Sequence, residues 1–372
     1  MVLFVWKLDS SGRFLPDAVI DTATSVIWCE RYQEAGEFEI LMRATPELLR
    51  YFTDNELLIT RTVTSTVMIP ERVEITTSAE SGDYLRVSGN SAEGIPRKRI
   101  IQQDVSMTGF DTGAELLYYL LKENIGSYWY YHIDAQHPES KQYRYIPFFH
   151  VGTETTLPDN IEIKAQPFGQ NLGDFIETVC KACGDGFRVR MGRDSNLYYE
   201  FYRGADRTGS VIFAKDFQNL GDTTYSIDRR TYFNEVMVAG DGDGKDRARQ
   251  VRILHNSSKA NGYTLREKFV DAHNVSRNTT DENGEEISVV VYNIMLAKMA
   301  ITELEASKEE VKFDGDIVPG GQFYYRQNYF LGDKVTVRNA YGIQGTATVT
   351  EVTETEDASG LRTIPAFSDW SV

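Results

Sequence analysis

At 372 residues the chain exceeds one ordinary domain, and about two to four are expected. A hydrophobic content of 41% is enough for cores of that size, and a charged content of 25% excludes global disorder. The formal net charge of −16 excludes tight nucleic-acid binding, which needs a basic face to displace counterions, though not a surface that nucleic acid passes without adhering.

The N-terminal "MVLFVWKLDSSG" has only a short apolar patch, with no basic lead and no small-residue cleavage site, and reads as a first β-strand. No apolar run approaches the roughly 18 residues needed to span a bilayer, so no membrane insertion is expected and folding is expected in a cytoplasm. Aromatics at 12%, with 21 Tyr and 19 Phe, suit strands and protein interfaces.

"SVIWCERYQEAGEFEILM" (25–42) follows, with four glutamates. Val26, Trp28, Glu30 and Tyr32 point one way along a strand, and Ile27, Cys29 and Arg31 the other. After a turn at 33–36, Phe38, Ile40 and Met42 share one side, and Glu37, Glu39 and Leu41 the opposite one. The stretch is a β-hairpin with one apolar face, and its glutamates fall where a solvated face or a lumen would put them. A catalytic pair needs carboxylates in environments that split their pKa values. Glu37 and Glu39 share one exposed-looking face, so the hairpin reads as scaffold.

"RVEITT" (72–77) and "YLRVSG" (84–89) read as strands, and "TGAELLYYLLKEN" (112–124) as a helix. The aromatic stretch 127–150 holds Tyr128, Trp129, Tyr130, Tyr131, Tyr143 and Tyr145. Three readings stand for it: two adjoining core strands, a protein interface, or a surface that stacks on sugars.

"NLGDFIETVCKACGDGF" predicts a helix from an Asn171 start to a Gly184 stop. Leu172, Phe175, Ile176, Val179, Cys180 and Cys183 repeat at helical spacing on its apolar stripe. The CxxC spacing admits a redox or zinc pair, but no second CxxC and no Cys/His pair accompanies it, so small core residues are the reading. "FRVRM" (187–191) and "LYYEFY" (197–202) read as strands.

From "TYFNEVMVAG" (231–240) a second β-rich stretch begins. "AGDGDGKDR" (239–247) fails the calcium-loop pattern, since Lys245, Asp246 and Arg252 stand where a ligand, Gly and Glu belong, and reads as a hairpin turn. A polar excursion at 255–286 precedes a helix at 290–307, after which strands resume at 334–339 and 346–355. The five histidines (His132, His137, His150, His255, His273) form no HExxH and no helical pair, and no GxSxG, P-loop or GxGxxG is present. No catalytic, cofactor-binding or metal-ligating set emerges, and an enzyme is not expected.

"WCERYQEAGEFEI", "ATPELLRYF" and "LRVSGNSAEGIPRKRII", with "NLGDFIETVCKACGDGFRV", "YRGADRTGSVIFAKDFQNL" and "YFNEVMVAGDGDG", resemble a family of siphovirus tail proteins of the Pepy type. The C-terminal "YFLGDKVTVRNAYGIQGTATVTEVTET" is similar to the closing strands of phage and prophage baseplate-hub proteins. No block is a catalytic signature; their ordered co-occurrence over most of the chain carries the resemblance.

The resemblance implies a β-rich α+β chain: two tube-like antiparallel β-barrel domains, at 1–100 and 221–372, around an α+β middle domain at 101–220. The polar insertion and helix at about 255–307 interrupt the second barrel. It implies a structural tail-tip or baseplate hub of a bacteriophage or prophage, a homotrimeric ring joining the tail tube to the tip and letting DNA pass. Partners would be further copies of itself, distal-tail or tail-tube proteins, and tip or fibre proteins. The place would be the virion tail tip, and the host cytoplasm during assembly. On this reading Glu37 and Glu39 face the lumen, and any cell-wall hydrolase is a separate polypeptide. The alternatives are a carbohydrate- or receptor-binding tail module and a tail-associated cell-wall hydrolase.

Overall fold

The computed structural model of the chain describes residues 1–61, 66–80, 82–102, 113–126, 144, 146–151, 167–242, 249–253, 262–273, 275, 288–318 and 322–371. The strands in chain order begin with β1 (Leu3–Leu8), β2 (Phe14–Ile20), β3 (Ser25–Arg31), β4 (Glu37–Arg43), β5 (Leu57–Arg61), β6 (Val67–Thr76) and β7 (Tyr84–Ser91). Next come β8 (Phe149–Val151), β9 (Gly186–Met191), β10 (Leu197–Tyr202), β11 (Ile212–Ala214) and β12 (Leu220–Asp228). The last are β13 (Glu235–Ala239), β14 (Arg249–Ile253), β15 (Glu267–Asp271), β16 (Glu310–Ile317), β17 (Lys334–Arg338), β18 (Gln344–Asp357) and β19 (Gly360–Ser371). The helices are α1 (Pro46–Thr53), α2 (Gly113–Asn124), α3 (Leu172–Cys183) and α4 (Val289–Ala306). The β-rich reading with few helices holds. The strand order of the main sheet does not close on itself among the described residues.

Two compact units divide the chain: 1–223 with 313–372, and 224–312. In the first, β16, β19, β18, β3, β4, β7, β6, β5, β1 and β2 lie side by side in that order. Strands from both ends of the chain therefore share one sheet, joined where Val352 of β18 faces Glu30 of β3 and Glu354 faces Trp28. The hairpin expected at 25–42 is present, with Trp28 opposite Phe38 and Ile27 opposite Glu39. Its apolar residues, with those of β1, β5, β6, β7 and the Phe52 face of α1, make one core.

A second core of the same unit gathers α2, α3 and the small sheet β8–β10–β9. α3 has the ends the sequence predicts: Asn171 Oδ1 accepts the N–H groups of Gly173 and Asp174, and Gly184 closes the helix at φ 71°. Gly173 lies against the Arg97 backbone, where a Cβ would overlap it. In the second unit β13 pairs antiparallel with β14 and parallel with β15. Tyr292, Leu296, Ala300 and Leu304 of α4 pack on Val236 and Val238 of β13. Antiparallel β13 and β14 are what a hairpin at 239–247 needs; residues 243–248 lie outside the described ones.

Candidate functional site

The β3–β4 hairpin sits where the N-terminal and C-terminal strands meet, and its two faces differ sharply. On the core face the alternation that places Val26, Trp28 and Tyr32 inward also buries Glu30, which is only 6% exposed. This corrects the expectation that the hairpin's glutamates are solvated. Glu30 Oε1 accepts from Trp28 Nε1 (2.9 Å) and Arg326 Nη2 (2.7 Å), and Oε2 accepts from the Tyr325 hydroxyl (2.8 Å). Arg326 Nη1 donates to Glu354 Oε2 (2.8 Å), which Arg61 also pairs.

Burial pulls the Glu30 carboxyl upward, but Arg326 and the three hydrogen bonds together hold it below its ordinary value. The cluster is saturated: both Glu30 oxygens are occupied, and Arg326 spans two carboxylates. Arg326 takes up the left-handed backbone region, at φ 64°, to reach them.

On the outer face Glu37 and Glu39 project from β4 together, as alternation requires. Arg31 Nη2 lies 2.7 Å from Glu37 and its Nε 2.6 Å from Glu351. Arg86 Nε lies 3.3 Å from Glu39 and its Nη1 3.8 Å from Glu74. Each arginine thus serves two carboxylates. Tyr128, Trp129, Tyr130, Tyr131, Tyr143 and Tyr145 lie outside the described residues.

Beside the buried cluster is a cavity of about 290 Å³ whose lining includes Glu30, Glu93, Arg188, Tyr202, Tyr325 and Arg326. Glu93 comes from the 3-10 turn Ala92–Lys98; its Oε1 accepts the Val189 N–H (2.7 Å), and its Oε2 is buried without a hydrogen-bond partner. Burial pushes its carboxyl up to about 7, with Glu30 adding to the rise. Two carboxylates shifted in opposite directions around one cavity resemble an acid–base pair. Here both oxygens of Glu30 are taken by internal partners, and the second oxygen of Glu93 is buried. The arrangement can hold strands together.

Tyr32, at the end of the hairpin's first strand, extends the junction. Its N–H donates to the Thr350 carbonyl (2.9 Å), and its own carbonyl accepts from Phe187 (3.1 Å). Its hydroxyl accepts the Gly204 N–H (3.2 Å) and donates to the Gly184 carbonyl (3.1 Å). A Cβ on Gly186 or Gly332 would overlap the ring, so both positions are kept bare.

Cys180 is buried and Cys183 half-buried, both as free thiols. Burial pushes the Cys180 thiol well up and that of Cys183 to about 11, the reverse of what a reactive thiolate requires. Among the described residues no three His, Cys, Asp or Glu side chains gather to hold a metal, and no helix is long and apolar enough to cross a membrane. Arg61, Glu93, Arg326 and Glu354 escape sequence reading. The one local signal was Glu30, a charge on an apolar stripe, which required a buried cation from elsewhere in the chain.

The profile of the family described as Siphovirus ReqiPepy6 Gp37-like protein matches residues 4–367. The chain belongs to this siphovirus tail-protein family. No curated protein matches it in sequence. Among solved structures it is similar to the tail protein from Neisseria meningitidis MC58, with a TM-score of 0.52 at 12% identity over 99% of this chain and 96% of that one. It is also similar to the prophage MuSo2 43 kDa tail protein from Shewanella oneidensis, with a TM-score of 0.51 at 11% identity over 99% and 98%. Prophage tail protein gp18 from Listeria monocytogenes EGD-e gives a TM-score of 0.52 at 11% identity over 100% and 96%. At such identities the likeness is one of fold.

Proposed function

We propose that this tail-family protein is a structural tail-tip or baseplate hub: a homotrimeric ring, built on two barrel-like domains, that joins the tail tube to the tip and lets DNA pass. The observation that carries the reading is the family match over residues 4–367, supported by a fold shared along nearly the whole length of three tail proteins, two of them from prophages. The site is consistent with a scaffold, because the buried carboxylates of Glu30 and Glu354 are engaged by internal partners. In this proposal the domains are 1–100, 101–220 and 221–372, the partners are tail-tube, distal-tail and tip or fibre proteins, and Glu37 and Glu39 line the lumen. Their face suits passage of DNA: Arg31 and Arg86 are each engaged by two carboxylates, which leaves phosphates little cationic charge to capture.

Gold-labelled antibody against this chain, imaged on intact particles, should decorate the tail tip, and mass spectrometry of purified tails should count three copies. Decoration along the tube or on the capsid, or a copy number that is not a multiple of three, sinks the reading.

A further inference from the structure

β11 and β17 run parallel, with Ala214 beside Arg338, so the turns that follow them emerge at the same end of the sheet. One is the 3-10 turn Lys215–Phe217, closed by Gln218 at φ 55°. The other is the hairpin tip between β17 and β18, which carries Tyr341 at 91% exposure.

Both tips are held firmly. Buried Asn219 accepts the Ala214 N–H (2.9 Å) and donates to the Ile212 carbonyl (2.9 Å). Buried Asn339 accepts the N–H groups of Tyr341 (2.9 Å) and Ile343 (3.0 Å). Arg338 bridges the two turns, 2.6 Å from Asp216 and 5.4 Å from the centre of the half-exposed Phe217 ring. A tyrosine projecting from a pinned turn is an anchor that loses little freedom when it docks.

The opposite end of the same ribbon is concave. Where Lys334 opens β17 opposite Thr348 there is a cavity of about 540 Å³, whose lining includes Tyr32, Cys183, Gly184, Arg203, Asp206 and Lys334. The five residues of β17 put roughly 17 Å between the two ends.

We propose that Tyr341 of one copy docks in this cavity of the next copy, a head-to-tail contact of the kind that closes rings. The complementarity is electrostatic as well as steric. The electron-rich face of a phenol ring is attracted to a cation such as Lys334, while Arg203 is held by Asp185 and Asp206 also lines the cavity. The bare backbone at Gly184 and the small side chain of Ala347 leave room for the ring. The chain carries both halves of the contact at opposite ends of one rigid element, which is why the occupant is a second copy. The proposal rests on the ring reading of the function and names the side chains that would hold the ring together.

The test uses the full chain with Tyr341→Ala, which removes the knob, and Lys334→Glu, which spoils the socket. Light scattering at the concentration where the parent associates should show each variant alone at least about tenfold weaker in self-association. An equimolar mixture should form pairs, because one variant keeps its socket and the other its knob. Misfolded variants would not complement. A Tyr341→Cys chain treated with a short bis-maleimide should yield a 341–183 cross-link between copies, lost when Cys183→Ala is added. Self-association unchanged in both single variants, no pairing in the mixture, or a parent that stays monomeric at millimolar concentration overturns the proposal. Tail tips that bear the chain at three copies and assemble normally with Tyr341→Ala would refute this contact and leave the hub reading standing. Tails lacking the chain would remove the hub reading itself.

Discussion

Arg326 and Glu30 are 296 residues apart in sequence and 2.7 Å apart in space, in a site buried from water. The guanidinium also reaches Glu354, so one side chain ties the β3–β4 hairpin to β18. Removing it would leave Glu30 buried without its cation and Glu354 with Arg61 alone. Arg326→Ala is expected to cost about 3–5 kcal/mol, the range for breaking a buried ion pair. Urea denaturation followed by tryptophan fluorescence measures it, with Trp28 donating to Glu30 as a local reporter. A loss below about 1 kcal/mol would show that the pair is dispensable.

This relationship also marks the limit of what the sequence disclosed. The α3 boundaries were legible because cap, stripe and stop lie within the short run from Asn171 to Gly184, and both hairpin faces followed from alternation. α1 was missed although Thr45, Pro46 and Glu47 form a capped start, because its eight residues are short and flanked by strands. The β3–β18 junction was not legible, since its pairing partners lie at opposite ends of the chain and neither strand names the other. Glu30 shows the same gap. Its alternation with Val26, Trp28 and Tyr32 was legible but its burial was not expected, because the arginine that makes burial tolerable was hidden in a segment with no periodic signal.

Glu93 predicts a pH dependence. Its folded-state value of about 7 stands above an ordinary value of 4.5, so the folded protein keeps this proton after the unfolded chain has lost it. Stability from this group is therefore full below about pH 4.5, falls as pH rises toward 7, and levels off above. The whole change is on the order of 3 kcal/mol. Glu93→Gln keeps the acceptor for Val189 and removes the titration. The difference in melting free energy between parent and variant, plotted against pH, should fall across that window; a flat difference refutes the assignment.

Gly332 and Gly342 separate two costs. Both hold left-handed backbone, at φ 85° and 78°, but only Gly332 lies against the Tyr32 ring, whereas nothing is within 4 Å of Gly342. Gly342→Ala should cost about 1 kcal/mol of backbone strain. Gly332→Ala adds steric overlap with Tyr32 and should cost at least about 2 kcal/mol more. Equal costs in chemical denaturation would mean that the ring moves aside freely.

The outer-face glutamates carry the functional prediction. Glu37→Lys with Glu39→Lys removes two exposed ion pairs, each worth under about 1 kcal/mol, so the chain should fold with a melting point only a few degrees lower. The substitutions place lysines beside Arg31 and Arg86, turning a face of shared ion pairs into a cationic strip repeated in every copy. If that face lines a channel, each new ammonium can pair with a phosphate, and such contacts add along a DNA backbone and weaken steeply with salt. The expected outcome is normal tail assembly with slowed or incomplete genome ejection, relieved by raised salt. If the face instead packs against a neighbouring tail protein, the same chain would block assembly, and ejection from any completed particles would be unchanged. Counting tails by electron microscopy beside a DNA-release assay separates the two, and only the first pattern places Glu37 and Glu39 in a lumen.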